Sequence, residues 1–305
     1  MKKGNNSPIR IGSISELHRM LGLPKPLHPL VSLTDNTNMV VDPELLPDSF
    51  MFDFYKISYK RTMNAKMKYG QGYYDFGEGG MIFTAPNQLI SIEEADMEYE
   101  GLSLIVHPDF IRNYPLARRI KSYGFFSYDT HEALHLSEKE KNRMMGVLEN
   151  IKDELNEAID DFSQDVTVSY IELLLNYSNR FYKRQFITRK AVNHELLSKM
   201  EHLLEDYFDK AEPLKSGMLT VEYLASQLHL SPRYLSDMLR SLTGHNAQQH
   251  IHEKLIERAK EKLSTTHLSI SEIAYDLGFG HPQSFSKLFK NKTTITPLEF
   301  RESFN

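Results

Sequence analysis

Two sets of side chains could act chemically on a partner: Arg233, Ser236, Asp237 and Arg240 in one stretch, and Gln283, Ser284, Lys287 and Lys290 in another. Guanidinium and ammonium groups donate to guanine O6 and N7, a carboxamide pairs with adenine, and a carboxylate accepts from cytosine N4. Each set lies opposite an apolar stripe at helical spacing, so it would line the open face of a helix. A plain solvated face is the other reading, and context has to choose. A third candidate is His131-Glu132-Ala133-Leu134-His135. Its spacing lets two imidazoles one helical turn apart bind zinc while the glutamate activates water. That chemistry needs a continuous helix, yet Ser137 and Glu140 form a capping box that predicts a helix beginning only after His135. The motif is therefore expected in the approach to that helix. A zinc peptidase, with Glu154 or Glu157 as third ligand, is kept as an alternative from another class.

The elements that would position the first two sets form a repeat. Residues Thr220–Gly244 and Ser269–Thr294 each read as a helix, a tight turn and a second helix. Leu224, Ala225 and Leu228 fall on Ile273, Ala274 and Leu277, and Pro232, Leu235, Met238 and Leu239 fall on Pro282, Phe285, Leu288 and Phe289. Thr220 and Ser231 are predicted N-caps, Ser269 with Glu272 a capping box, and both prolines sit at the first helical position, where no N–H is needed. Gly278 supplies a left-handed turn, and His229 stands at the matching place in the first unit. Between the units, Asn246 to Ser264 reads as one helix of roughly 25–30 Å, a rod that could hold two probes about one DNA turn apart. A repeated helix-turn-helix is a device for reading DNA at two places.

The stretch from about His194 to Asn305 resembles the DNA-binding domain of AraC/XylS-type transcription regulators. The resemblance is carried by Ser269-Ile270-Ser271-Glu272-Ile273-Ala274, Leu277-Gly278-Phe279, Ser284-Phe285-Ser286-Lys287-Leu288-Phe289-Lys290, Thr296-Pro297 and Phe300-Arg301. Thr294 stands where that family usually has Gly, and Lys254 where it usually has Arg. The resemblance implies base contacts from Arg233, Ser236, Asp237, Gln283, Ser284 and Lys287, with Arg240 and Lys290 further along on phosphate. It also implies double-stranded DNA, RNA polymerase and a second copy of the chain as partners, and an N-terminal cupin-like sensor for a small effector. No cofactor and no catalytic role are implied.

Composition bounds these readings. The chain has 305 residues, enough for two domains, and no cysteine, which removes disulfides and thiolate metal sites. No run approaches the roughly 18–20 apolar residues of a membrane span, so a soluble cytoplasmic protein is expected. Formal net charge is −5. From Ser216 onward ten basic residues face nine acidic ones. Weak binding to random DNA is therefore expected, with affinity coming from specific contacts or dimerisation.

Ahead of Tyr128, helical periodicity is confined to Ser15–Leu21. Phe52–Tyr59, Gly70–Phe76, a Gly79-Gly80 turn, Met81–Thr84 and Leu102–Val106 read as short strands and their punctuation. These suggest a small barrel or sandwich. Phe54, Tyr73 and Phe83 could line a ligand cavity or simply fill a core. Helices are predicted over Ser137–Asp160 and Val166–Gln185, and Tyr182–Lys190 reads as a basic linker. The expected class is an α+β multidomain chain. It comprises a cupin-like β-barrel over 1–136, a helical dimerisation segment and linker over 137–190, and an all-α double helix-turn-helix domain over 191–305.

Overall fold

The computed structural model describes residues 8–39, 49–61, 63–69, 72–76, 79–91, 101–210 and 212–304. Gly70, Gln71 and Asn305, which fall within segments named above, lie outside them, as does the Tyr73 side chain. The chain divides into two compact units, Met1–Gln185 and Phe186–Asn305.

The first unit contains β1 (Ile9–Ile11), α1 (Ile14–Met20), β2 (Val31–Asp35), β3 (Ser49–Phe52), β4 (Tyr55–Lys60), β5 (Met63–Tyr69), β6 (Gly72–Phe76), β7 (Gly80–Thr84), β8 (Leu89–Ser91) and β9 (Gly101–Val106). After these come α2 (Leu116–Arg119), β10 (Leu134–His135), α3 (Glu138–Asn156) and α4 (Ser163–Thr188), whose last residues pass into the second unit. Among the described residues the strands form three sheets: β10-β7-β4-β9-β2, β1-β3-β8 and the β5-β6 pair. Among the described residues these pairings do not close into one barrel. The aromatic run Phe52–Tyr59 is two strands, because the chain bends at Asp53 and Phe54 and its halves join different sheets.

Strand β4 is central in its sheet, paired antiparallel with both β7 and β9, and most of its side chains are buried. Phe54 stacks on Phe52 at 4.8 Å, and Phe83 meets Phe125 and Phe126 at 4.5 and 5.7 Å. Both rings are core, the plainer of the two expectations for them. Ser137 and Glu140 do form a capping box, and α3 buries Met144, Val147, Leu148 and Ile151 as its spacing predicts.

Tyr182–Lys190 is not an open linker. Helix α4 runs through it to Thr188, burying Tyr182, Gln185 and Phe186, while Arg184 bonds Glu140 at 2.6 Å and the His135 carbonyl at 2.7 Å. Lys183 lies on the exposed edge of this amphipathic helix, whose buried edge decides its structure.

The second unit is helical: α5 (Lys190–Asp209), α6 (Glu212–Ser216), α7 (Val221–Gln227), α8 (Pro232–Thr243), α9 (Ala247–Thr265), α10 (Ile270–Asp276), α11 (Pro282–Thr293) and α12 (Pro297–Glu302). Its core around the second helix pair joins Leu255, Ala259 and Leu263 of α9 to Ile273, Ala274, Phe285 and Phe289. Full burial of a phenylalanine such as Phe285 contributes about 2–3 kcal/mol. Among the described residues no helix is long and apolar enough to cross a membrane.

Candidate nucleic-acid interface

Each helix pair is fixed by local signals before tertiary packing acts. Thr220 Oγ1 accepts from the Tyr223 N–H and Ser231 Oγ from the Tyr234 N–H, both at 3.2 Å, so α7 and α8 start where their caps place them. Ser269 and Glu272 make the reciprocal capping box that opens α10, and its backbone bond holds the Glu272 carboxyl below the usual range. Pro232 and Pro282 begin α8 and α11. His281, the residue before Pro282, caps nothing with its side chain.

Left-handed residues stop and turn the helices. His229 and Gly278 occupy φ 54° and 86° in the two inter-helix turns, and Gly244 and Thr294 occupy φ 83° and 72° after α8 and α11. Thr294 thus takes on the conformation that glycine adopts after α8, and α11 ends at Thr293. A Cβ on Gly278 would lie 2.6 Å from the Gly217 carbonyl, so that turn requires glycine for packing as well as for φ.

The repeat extends further than the sequence reading took it. Asn246 with Gln249 and Thr296 with Glu299 form matching capping boxes after α8 and α11, so α12 corresponds to the first turns of α9. Helix α9, about 28 Å long at 1.5 Å per residue, buries Ile251, Leu255, Ala259 and Leu263. Lys254 bonds Glu205 at 3.5 Å, Arg258 pairs with Asp209, and Lys262 reaches Asp276 at 3.1 Å. Lysine at 254 thus still ties α9 to α5.

The expected contact residues divide unevenly. Arg233 and Arg240 are exposed on α8, and Gln283, Ser284, Lys287 and Lys290 are exposed on α11. Ser236 and Asp237 are half-buried. The Asp237 carboxylate accepts from Arg233 Nε at 2.9 Å and lies 3.8 Å from an Arg240 Nη. In the shared frame Arg233 matches Gln283, Tyr234 matches Ser284, and Asp237 matches Lys287. Tyr234, absent from the sequence expectation, is buried against Phe186 at 5.2 Å. Phe186 lies near the end of α4, so the sequence signal for this contact is the apolar stripe continued along that helix.

The zinc-like motif takes a different form. Thr130–Glu132 is a single 3-10 turn, and Leu134–His135 is strand β10, in register with Met81 and Gly80. The two imidazoles do not share a helix. Gln185 holds this extended backbone, accepting from the His135 N–H at 2.8 Å and donating to the Ala133 carbonyl at 3.2 Å. Ligand atoms of Asp129, His131 and Glu132 lie within 4.8 Å of one another. Glu132 is buried and its carboxylate accepts from the Asp129 N–H at 2.7 Å, which is capping chemistry.

Two helix pairs on one rod, each presenting a polar second helix, define a double helix-turn-helix domain. Residues 224–303 match the family described as a helix-turn-helix domain. The match falls on the helix pairs and agrees with the helix-turn-helix reading of their motifs. Among similar proteins, the uncharacterized transcriptional regulatory protein YesN of Bacillus subtilis is 33% identical over 109 residues, 35% of this chain and 28% of that protein. The transcriptional activator RhaS of Mannheimia succiniciproducens is 38% identical over 80 residues, 26% of this chain and 30% of that protein. Among solved structures, the C-terminal domain of the response regulator yesN from Fusobacterium nucleatum is 32% identical, covering 33% of this chain and 96% of that one with a TM-score of 0.29. The chain therefore spans under a third of either curated relative.

Proposed function

We propose that this chain is a sequence-specific transcription regulator that acts as a homodimer on double-stranded DNA. The observation that carries the reading is the pair α8 and α11, helices of 12 residues each that bury one face and leave Arg233, Gln283, Ser284 and Lys287 open. Helices of this kind enter the major groove and read base edges, while Arg240 and Lys290, one turn further along, suit phosphate.

In this reading the N-terminal unit is a cupin-like control domain. A cavity of about 420 Å³, bordered by His18, Lys25, Ser32, Asp35 and Lys152, has the volume of a small-molecule site and would take the effector. The exposed Val166 and Leu173, seven residues apart on α4, with the exposed Phe162 in the turn just before it, support self-association through that helix. They equally favour a second reading, in which the front unit only dimerises and takes no ligand. RNA polymerase is the expected further partner of the DNA-bound dimer.

The test is selection of bound duplexes from a random pool, followed by the same selection with Arg233→Ala and Lys287→Ala. Each variant is expected to lose preference in its own half of the site, by about 1–3 kcal/mol for the arginine. An unchanged preference in both would overturn the assignment of the reading helices. Adding candidate metabolites while following melting of the front unit separates the effector reading from the dimer-only one.

A further inference from the structure

We infer that Asp237 is a positioning residue, one that holds the Arg233 guanidinium with its outer edge turned to guanine, and is not itself a reader of cytosine. This inference rests on the proposed role of α8 in reading DNA.

The geometry gives the carboxylate two cationic neighbours. Arg233 Nε donates to Asp237 Oδ2 at 2.9 Å, and an Arg240 Nη lies 3.8 Å from Oδ1. The Asp237 side chain is 20% exposed, against 48% for Arg233 and 55% for Arg240. A half-buried carboxylate that bonds one guanidinium through Oδ2 and has a second one near Oδ1 is a weaker and less accessible acceptor for a cytosine amine than an open one. Arginine has five N–H donors in a rigid fork. Engaging Nε leaves the two terminal nitrogens, the pair that matches guanine O6 and N7. The ion pair also fixes a long side chain in advance, which lessens the ordering that binding must impose.

The device belongs to one unit only. The positions of Arg233, Asp237 and Arg240 are taken on α11 by Gln283, Lys287 and Lys290, which include no carboxylate. The first helix pair would then supply the sharper base discrimination, and the second would supply charge. Asp237 also places a negative group on the DNA-facing side, which opposes sequence-independent binding.

Asp237→Ala therefore makes two opposite predictions. In the full-length protein, preference for guanine over the other bases at the Arg233 position should fall roughly five- to tenfold. Binding to a random duplex should tighten by about two- to fivefold at low salt, because one charge repelling phosphate is gone. Arg233→Ala should abolish the guanine preference, and adding Asp237→Ala to it should change that preference no further. Asp237→Asn keeps an acceptor oxygen without charge and should fall between, which keeps the test valid if the alanine variant folds poorly. A lost preference for cytosine with guanine preference intact would make Asp237 a reader. An unchanged preference with only a shifted melting temperature would make the pair a helix-stabilising contact. Either result overturns the inference, whereas absence of any sequence preference in the unaltered protein would remove the DNA-reading role on which it rests.

Discussion

The two helix-turn-helix pairs share a frame but distribute their left-handed residues in opposite ways. The first has His229 in its turn and Gly244 at its end; the second has Gly278 in its turn and Thr294 at its end. Each pair thus has one glycine and one residue with a Cβ in a conformation that L side chains disfavour. Surroundings explain the choice at two of these places. A Cβ on Gly278 would come within 2.6 Å of the Gly217 backbone, whereas a Cβ on Gly244 would meet nothing within 4 Å. Glycine is thus required twice over in the second turn, by φ and by contact, and only by φ at the end of α8.

The largest effect expected from this comparison comes from Gly278→Ala. It adds φ strain of about 1–2 kcal/mol to a backbone collision that must push α10 and the Gly217 segment apart, for a total of roughly 3 kcal/mol or more. Gly244→Ala carries the strain alone and should cost about 1 kcal/mol. Thermal unfolding of the C-terminal unit, followed in the full chain, measures both. Equal losses would mean that the Gly217 contact relaxes freely and that the two glycines do the same work.

The helix pairs were legible in the sequence because their signals are local. Caps at Thr220, Ser231 and Ser269, prolines at 232 and 282, and apolar residues every three or four positions each act within one turn of helix. What escaped detection depends on distant partners. Tyr234 looks like a flank residue until Phe186 is placed beside it, and Asp237 looks like an open acceptor until the i+4 geometry brings Arg233 Nε onto it. Sheet pairing is non-local in the same way: Phe52 and Tyr59 alternate as if on one strand, but one joins β8's sheet and the other β7's. The helical course of Tyr182–Thr188 was readable in principle. Ile171, Leu175, Ser178, Tyr182 and Gln185 keep the spacing of one buried face, and the basic residues between them masked it.

A smaller effect tests the other half of the comparison. Thr294 is exposed and β-branched at φ 72°, where glycine would be unstrained. Thr294→Gly should stabilise the C-terminal unit by about 1 kcal/mol, relieving strain by more than the added freedom of the unfolded chain takes back. Gly244→Thr should cost a similar amount. If Thr294→Gly instead destabilises, the hydroxyl contributes more at the end of α11 than the backbone conformation costs.

The smallest expected effect is one of pH, and it distinguishes the pairs by what stands beside their second helices. After α8, Thr243 Oγ1 lies 2.9 Å from His250 Nε2, and Gln248 Nε2 lies 2.9 Å from His252 Nε2; the place of His250 after α11 is taken by Phe300. Burial lowers the pKa of both histidines, with Lys292 adding to the shift at His252 and Glu253 opposing it at His250. A folded-state pKa below the unfolded one means that the native unit binds fewer protons. The resulting stabilisation is present above the unfolded value of about 6.5, and it is lost as pH falls through the depressed folded values. The C-terminal unit should therefore melt lower at pH 5.5 than at pH 7.5, and the decrease should shrink in His250→Gln and His252→Gln. Because these rings stay partly open to solvent, the change should be a few degrees at most. If the slope is unaltered in both variants, these two histidines are not its source, and the pairs do not differ in their response to protons.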